Sequence, residues 1–135
     1  MPKFEINNLT KSRVDKGFLE GIGKKALKSL PRASKASRGE ISVVLIGDSK
    51  IKELNKKYRK RNKVTDVLAF DYGEIFICLP RAKKQAKKLG HSLEKELAIL
   101  LIHGILHLAG YDDRIKKDYN KMAKKQEQIW QEIIS

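Results

Sequence analysis

The sequence has one cysteine, Cys78, and only three prolines among its 135 residues. A single cysteine excludes an internal disulfide framework, so the fold must be held together by a hydrophobic core. We expect Cys78 to belong to that core because it lies in the apolar run 75–79. With 41% hydrophobic and 34% charged residues, the composition predicts one globular domain over residues 1–135.

Long apolar runs are also missing. The most apolar stretch, 97–109, has 13 residues and contains two histidines, whereas a transmembrane helix needs about 20 apolar residues. The first residues lack the apolar segment of a secretory signal peptide. We therefore expect a soluble protein located in the cytoplasm.

Acidic residues are scarce. Thirty Lys and Arg face sixteen Asp and Glu, which gives a formal net charge of +14. A lysine-rich surface organised in ion-pair networks would need more acids, so the excess is typical of a protein that binds a polyanion. Nucleic acid is favoured over an anionic membrane because no predicted helix combines a basic face with bulky aromatics.

The hydrophobic pattern predicts an α+β fold, with a small mixed β-sheet packed with helices around a central buried histidine-bearing helix. Apolar segments predict strands at 4–9, 41–46, 65–70 and 74–79, and the short link between the last two favours an antiparallel hairpin. Helices are predicted after N-caps at Ser12, Asp48 and Ser92, over 80–89, and in the C-terminal segment.

His103 and His107 form the main candidate site. Residues four apart share one helix face with Cβ atoms about 6 Å apart, so both imidazoles can bind one cation. Gly110 is expected to end the helix and turn the chain, which would bring the Asp113 carboxylate to the same point. Asp112 is adjacent and could replace Asp113. Such a His/His/Asp set suits zinc with an open fourth position.

The alternative for the two histidines is a core role in which backbone carbonyls satisfy each ring. Two buried rings at this spacing are harder to satisfy, and each unpaired ring nitrogen would cost about 1–3 kcal/mol. Zinc peptidases with the same histidine spacing place a glutamate after the first histidine as general base. Gly104 occupies that position here, which disfavours a metallopeptidase and leaves phosphodiester hydrolysis as the better fit for a metal in basic surroundings.

Arg59 is the candidate for neutralising charge that develops during such a reaction. It ends a predicted helix and opens a basic segment whose Lys60, Arg61 and Lys63, together with Arg59, we expect to bind RNA. A partner for the helix dipole, or a simple phosphate-positioning charge, is an equally good interpretation of Arg59. His91 follows Gly90 in a loop, and we expect it to be exposed and not a ligand, with a contact to substrate as the alternative.

The segment 103–113 (HGILHLAGYDD) resembles the signature of the YbeY family, bacterial endoribonucleases and ribosomal RNA maturation factors. Segments 54–59, 65–70 and 73–75 are similar to a second family block, in the same order and spacing. The resemblance implies one zinc ion held by three histidines and an arginine needed for RNA cleavage. His103 and His107 match two ligands and Arg59 the arginine, while the third histidine is replaced by Asp113, itself a ligand for zinc or manganese.

The resemblance thus implies a metal-dependent, single-strand endoribonuclease that matures the 3′ end of small-subunit ribosomal RNA. Its cofactor would be zinc, with nickel or manganese as other candidates, and its partners RNA, the ribosome or its small subunit, and a protein partner that the sequence does not identify. A non-catalytic RNA-binding assembly factor with a structural metal is the first alternative, and a metallopeptidase the second. An open metal position facing the Arg59 loop favours the enzyme, and a closed four-ligand site favours the assembly factor.

Overall fold

The computed structural model describes residues 4–30, 40–111 and 116–134. Within these ranges the chain forms an α+β fold of four strands and five helices, which confirms the predicted fold class. In chain order they are β1 (Phe4–Asn8), α1 (Lys16–Lys28), β2 (Ile41–Ile46), α2 (Asp48–Arg59), β3 (Val67–Phe70), β4 (Glu74–Cys78), α3 (Leu79–Leu89), α4 (Leu93–Leu108) and α5 (Lys116–Ile134).

The four strands form one mixed sheet in the order β1-β2-β4-β3. β1 and β4 each run parallel to β2, and β3 pairs with β4 as the predicted antiparallel hairpin. β3 is therefore an edge strand, and its Ala69 lies opposite Ile75 of β4. Among the described residues, no helix is both long enough and apolar enough to cross a membrane.

Helix α4, which carries both histidines, is the centre of the fold. It contacts α1, α3 and α5 as well as strands β3 and β4, and Leu101, Ile102 and Ile105 on it are fully buried. Gly104 lies against the sheet, since a Cβ at this position would come within 2.8 Å of Ile75 Cγ2. A mid-helix glycine costs about 1 kcal/mol relative to alanine, and here it allows α4 to lie directly on β4.

The C-terminal end of α4 turns as predicted. Gly110 has a φ of 98°, its N–H donates to the His107 carbonyl at 3.0 Å, and the N–H of Tyr111 donates to the Leu106 carbonyl at 3.0 Å. These two bonds define a Schellman motif, which a left-handed residue after the helix makes possible. At the other end, the Ser92 hydroxyl accepts from the Lys95 N–H at 3.1 Å, which confirms the predicted cap.

Two predicted caps are wrong. Helix α1 begins after Asp15 instead of Ser12, because the Asp15 carboxylate accepts from the Phe18 N–H at 3.0 Å. Helix α2 has Gly47 as its N-cap, and Asp48 is already helical. The Asp48 carboxylate instead accepts from the thiol of Cys78 at 3.1 Å. Cys78 is fully buried, as predicted, and burial raises the pKa of its thiol to about 11.

Candidate functional site

The two histidines of α4 face each other with converging ring nitrogens. Their ring centroids are 4.7 Å apart, and the two Nε2 atoms are separated by 3.1 Å. Two nitrogens that bind one tetrahedral zinc at about 2.0–2.1 Å would be about 3.3 Å apart. Both rings are half-buried, so the observed pair has the spacing of two ligands to one ion.

Gln126 of α5 fixes the orientation of the first ring. His103 Nδ1 lies 3.0 Å from Gln126 Oε1, and because that oxygen can only accept, this contact favours the tautomer with the proton on Nδ1. In that tautomer His103 Nε2 presents a lone pair, 3.1 Å from His107 Nε2. Metal-ligating histidines commonly donate their other ring N–H in this manner, which fixes the tautomer.

The role of Gln126 could not be assigned from the sequence. One signal was present, because Gln126 is a polar residue on the inward face of an amphipathic helix, between the buried Met122 and Ile129. Polar groups on such faces usually have a hydrogen-bond partner. Only the packing of α5 on α4 identifies that partner as His103.

The expected third ligand, Asp113, and its alternative, Asp112, both lie outside the described residues. Within the ranges that the structure describes, no group of three or more His, Cys, Asp or Glu side chains is arranged to hold a metal. The donor set present is two imidazoles, which suits zinc or nickel. The chain leaves α4 at Gly110 and Tyr111, beside an open cavity of about 280 Å³. Its lining residues are Ala109, Gly110, Tyr111, Asp118 and Lys121.

Arg59 is the last residue of α2, which packs on the face of the sheet opposite to α4. Its side chain extends to the edge strand β3. Its Nη2 donates to the carbonyl of Ala69 at 2.7 Å, and its guanidinium carbon lies 5.2 Å from the ring centroid of Phe70. The hydrogen bond goes to β3 and not to a carbonyl of its own helix. The guanidinium is exposed and is held along the edge of the sheet.

The edge strand β3 connects Arg59 to the histidine helix. The side chain of Ala69 packs on the α4 side of the sheet, while its carbonyl accepts from Arg59. Its partner Ile75 contacts α4 at Gly104, next to His103. Arg59 therefore bonds to the β3 residue whose β4 partner packs against Gly104 of the histidine helix, from the other face of the sheet.

The basic segment after Arg59 is folded by one buried residue, Asn55, which is 3% exposed. Its side-chain amide donates to the Lys63 carbonyl at 3.0 Å, and its backbone carbonyl accepts from the N–H groups of Lys60 and Arg61. Lys60 is left-handed, with a φ of 58°. The side chains of Lys60, Arg61 and Lys63 are all exposed as a result, which leaves them accessible to phosphates.

The expectation that His91 is exposed is wrong. His91 Nε2 lies 2.6 Å from Oε1 of Glu96, and Glu96 is only 4% exposed. The left-handed Gly90 turns the chain back at the end of α3, and the His91 N–H donates to the Ala86 carbonyl. This turn directs the ring to the first turn of α4, two helical turns before His103.

Comparisons with known proteins show the family to which the chain belongs. A family model described as "Endoribonuclease YbeY" matches residues 5–134. Proteins of that name from Persephonella marina and Aquifex aeolicus are similar to this chain. The first is 36% identical over 140 residues, covering 94% of this chain and 92% of the relative. The second is 43% identical over 114 residues, covering 77% and 73%.

A solution structure of a protein from Thermotoga maritima is also similar. It has a TM-score of 0.58 and 32% sequence identity, and the match covers 96% of this chain and 90% of the other. The chain therefore belongs to the YbeY endoribonuclease family, which confirms the resemblance found in segments 54–75 and 103–113.

The hydrogen bond to Gln126 predicts the tautomer of His103 in the metal-free protein. At a pH where both rings are neutral, ¹⁵N NMR of the imidazoles should place the His103 proton on Nδ1 in the wild type. Gln126→Leu removes the acceptor and should move that proton substantially to Nε2. The matched control is Gln128→Leu on the same helix, where the wild-type amide bonds the exposed Glu132. An unchanged tautomer in Gln126→Leu would contradict the assignment.

Proposed function

We propose that this chain is a metal-dependent endoribonuclease that cleaves single-stranded RNA and matures the 3′ end of small-subunit ribosomal RNA. Membership in an endoribonuclease family supports the reaction. The observation that carries the metal dependence is the 3.1 Å separation of the two Nε2 atoms on α4. We further propose that the partner is the ribosome or its small subunit, in the cytoplasm.

In this proposal His103 and His107 hold one metal ion through Nε2, with Asp113 as third ligand and Asp112 as the alternative. Zinc fits the imidazole donors best, and nickel and manganese remain candidates. A bound metal would act there as a Lewis acid on a phosphoryl oxygen or lower the pKa of a bound water. Gln126 keeps His103 Nε2 unprotonated and aimed at that point.

The remaining residues act on the RNA directly. Arg59 lies at the edge of β3 with its planar guanidinium exposed, and such a group can donate two hydrogen bonds to one phosphate. Lys60, Arg61 and Lys63 contribute charge that neutralises neighbouring phosphates. Each phosphate neutralised releases counterions, so binding should weaken steeply as salt is raised.

The proposal predicts RNA cleavage that depends on the histidine pair. Wild-type protein should cleave a single-stranded precursor of small-subunit ribosomal RNA slowly, and chelator treatment or His107→Ala should abolish the cleavage. Metal content, measured on the same samples, should fall in His107→Ala. It should also fall in whichever of Asp113→Ala and Asp112→Ala removes the third ligand.

Each sample in this experiment is purified through a high-salt step, because a basic protein can carry contaminating nucleases. Equal cleavage by wild type, His107→Ala and chelated protein would identify contamination and contradict the proposal. RNA binding without cleavage in every sample would instead support the non-catalytic assembly factor. Stoichiometric metal retained in both His103→Ala and His107→Ala would place the metal elsewhere.

Arg59 should act on the reaction more than on the fold. At saturating RNA, Arg59→Ala should lower the cleavage rate by about 100-fold, the typical cost of removing one charge-stabilising donor. Arg59→Lys should recover part of this loss, since it keeps the charge without the planar donor pair. Arg61→Ala is the matched control, with weaker binding and a near-normal rate at saturation. A large drop in melting temperature with normal cleavage would make Arg59 a structural residue.

A further inference from the structure

Two exposed tyrosines flank one buried phenylalanine on the α2 side of the sheet. Tyr58 packs edge-on against Phe70, with ring centroids 5.4 Å apart, and Tyr72 stacks on Phe70 at 5.7 Å. Phe70 itself is buried, whereas Tyr58 is 52% exposed and Tyr72 is 71% exposed. Both tyrosines therefore pack against Phe70, and both are exposed to solvent.

Their electrostatic surroundings are opposite. Lys57 Nζ lies 5.2 Å from the centroid of the Tyr58 ring, and Arg59 follows in sequence with its guanidinium on Phe70. Tyr58 thus lies in the last turn of α2, directly before the basic segment. Its ring is an exposed apolar surface with one lysine ammonium over it, and the basic segment follows it directly in the chain.

Tyr72 lies among carboxylates instead. Its hydroxyl donates to Glu74 Oε1 at 2.9 Å, and it lines an open cavity of about 170 Å³ together with Glu5, Glu40 and Glu74. Partial burial, and then the hydrogen bond to Glu74, raise the pKa of Tyr72. A phosphate backbone would be repelled on this side of Phe70.

We propose that Tyr58 binds single-stranded RNA by stacking on one base, with the adjoining phosphate held by Arg59, and that Tyr72 takes no part in RNA binding. This inference rests on the proposed function, because it takes RNA as the substrate. Unpaired bases stack on aromatic side chains in basic grooves. Tyr58 is the one exposed aromatic of α2, and it contacts the same phenylalanine as Arg59.

Tyr58 is adjacent in the chain to Arg59, the arginine that the proposed function assigns to the RNA. The centres of the Tyr58 ring and the Arg59 guanidinium lie 5.4 and 5.2 Å from the Phe70 ring. A nucleotide whose base rests on Tyr58 would present its phosphate to Arg59. The Lys57 ammonium is the end of a flexible side chain, so a base can displace it from the tyrosine ring.

The chain supplies a matched set of variants for testing this. Binding of a short fluorescent single-stranded RNA is measured by anisotropy with full-length protein in chelator, so that no cleavage occurs. Tyr58→Leu should weaken binding about tenfold, as expected for loss of one stacked base. Tyr72→Leu, which also loses a contact with Phe70, should bind within twofold of wild type. Tyr119→Leu controls for an exposed tyrosine on α5, where the wild-type residue is 53% exposed.

Two further readouts separate stacking from charge. The dependence of affinity on salt should be unchanged in Tyr58→Leu, because no phosphate contact is lost, and shallower in Lys60→Ala. An abasic oligonucleotide of the same length should bind wild type about tenfold more weakly than the normal RNA. Tyr58→Leu should discriminate less between the two.

The outcomes that overturn the inference differ from those that overturn the function. Wild-type binding that survives Tyr58→Leu, or equal losses in Tyr58→Leu and Tyr72→Leu, would make the tyrosine a structural neighbour of Phe70. Wild-type protein that binds no RNA would contradict the proposed function and this assignment together. Circular dichroism melts of each variant confirm that the folded protein is being compared.

Discussion

The close approach of α4 to the sheet is the constraint on which the rest of the structure depends. Gly104 allows the helix backbone to lie on Ile75 of β4, and the neighbouring apolar residues of α4 are buried in the core that results. This packing leaves His103 and His107 at the border of the core, half-buried and close together. Ring nitrogens in such a position need partners, since leaving one unpaired costs about 1–3 kcal/mol.

The partner of His103 comes from the helix that packs on α4, and the position of Arg59 comes from its bond to the edge strand of the sheet. α5 covers the border and supplies Gln126, whose acceptor oxygen selects the tautomer that presents His103 Nε2. On the other side of the sheet, α2 ends beside the edge strand, and Arg59 is held there by the carbonyl of Ala69. Paired imidazoles and an oriented guanidinium are groups that phosphodiester hydrolysis can use, which suits the endoribonuclease family to which the chain belongs.

Local patterns predicted the parts of this site that depend on sequence spacing. The histidine pair, the Gly110 turn and the antiparallel hairpin each follow from residues close together in the chain. Contacts between residues far apart in the chain could not be predicted, and the hydrogen bond between Gln126 and His103 is one example. The fold of the basic segment is a second case, because it depends on the buried amide of Asn55, which donates to the Lys63 carbonyl. The prediction for His91 failed because its Nε2 forms a hydrogen bond with the buried Glu96. This contact exists only because the chain reverses at Gly90.

The central claim is that His103 and His107 bind a single metal ion through Nε2. X-ray absorption spectroscopy of the zinc-loaded protein tests this most directly, because it counts ligands around the ion. The account predicts only nitrogen and oxygen neighbours at about 2.0–2.2 Å, with outer-shell scattering from two imidazoles. A sulfur neighbour at about 2.3 Å, or scattering from fewer than two imidazoles, would contradict it.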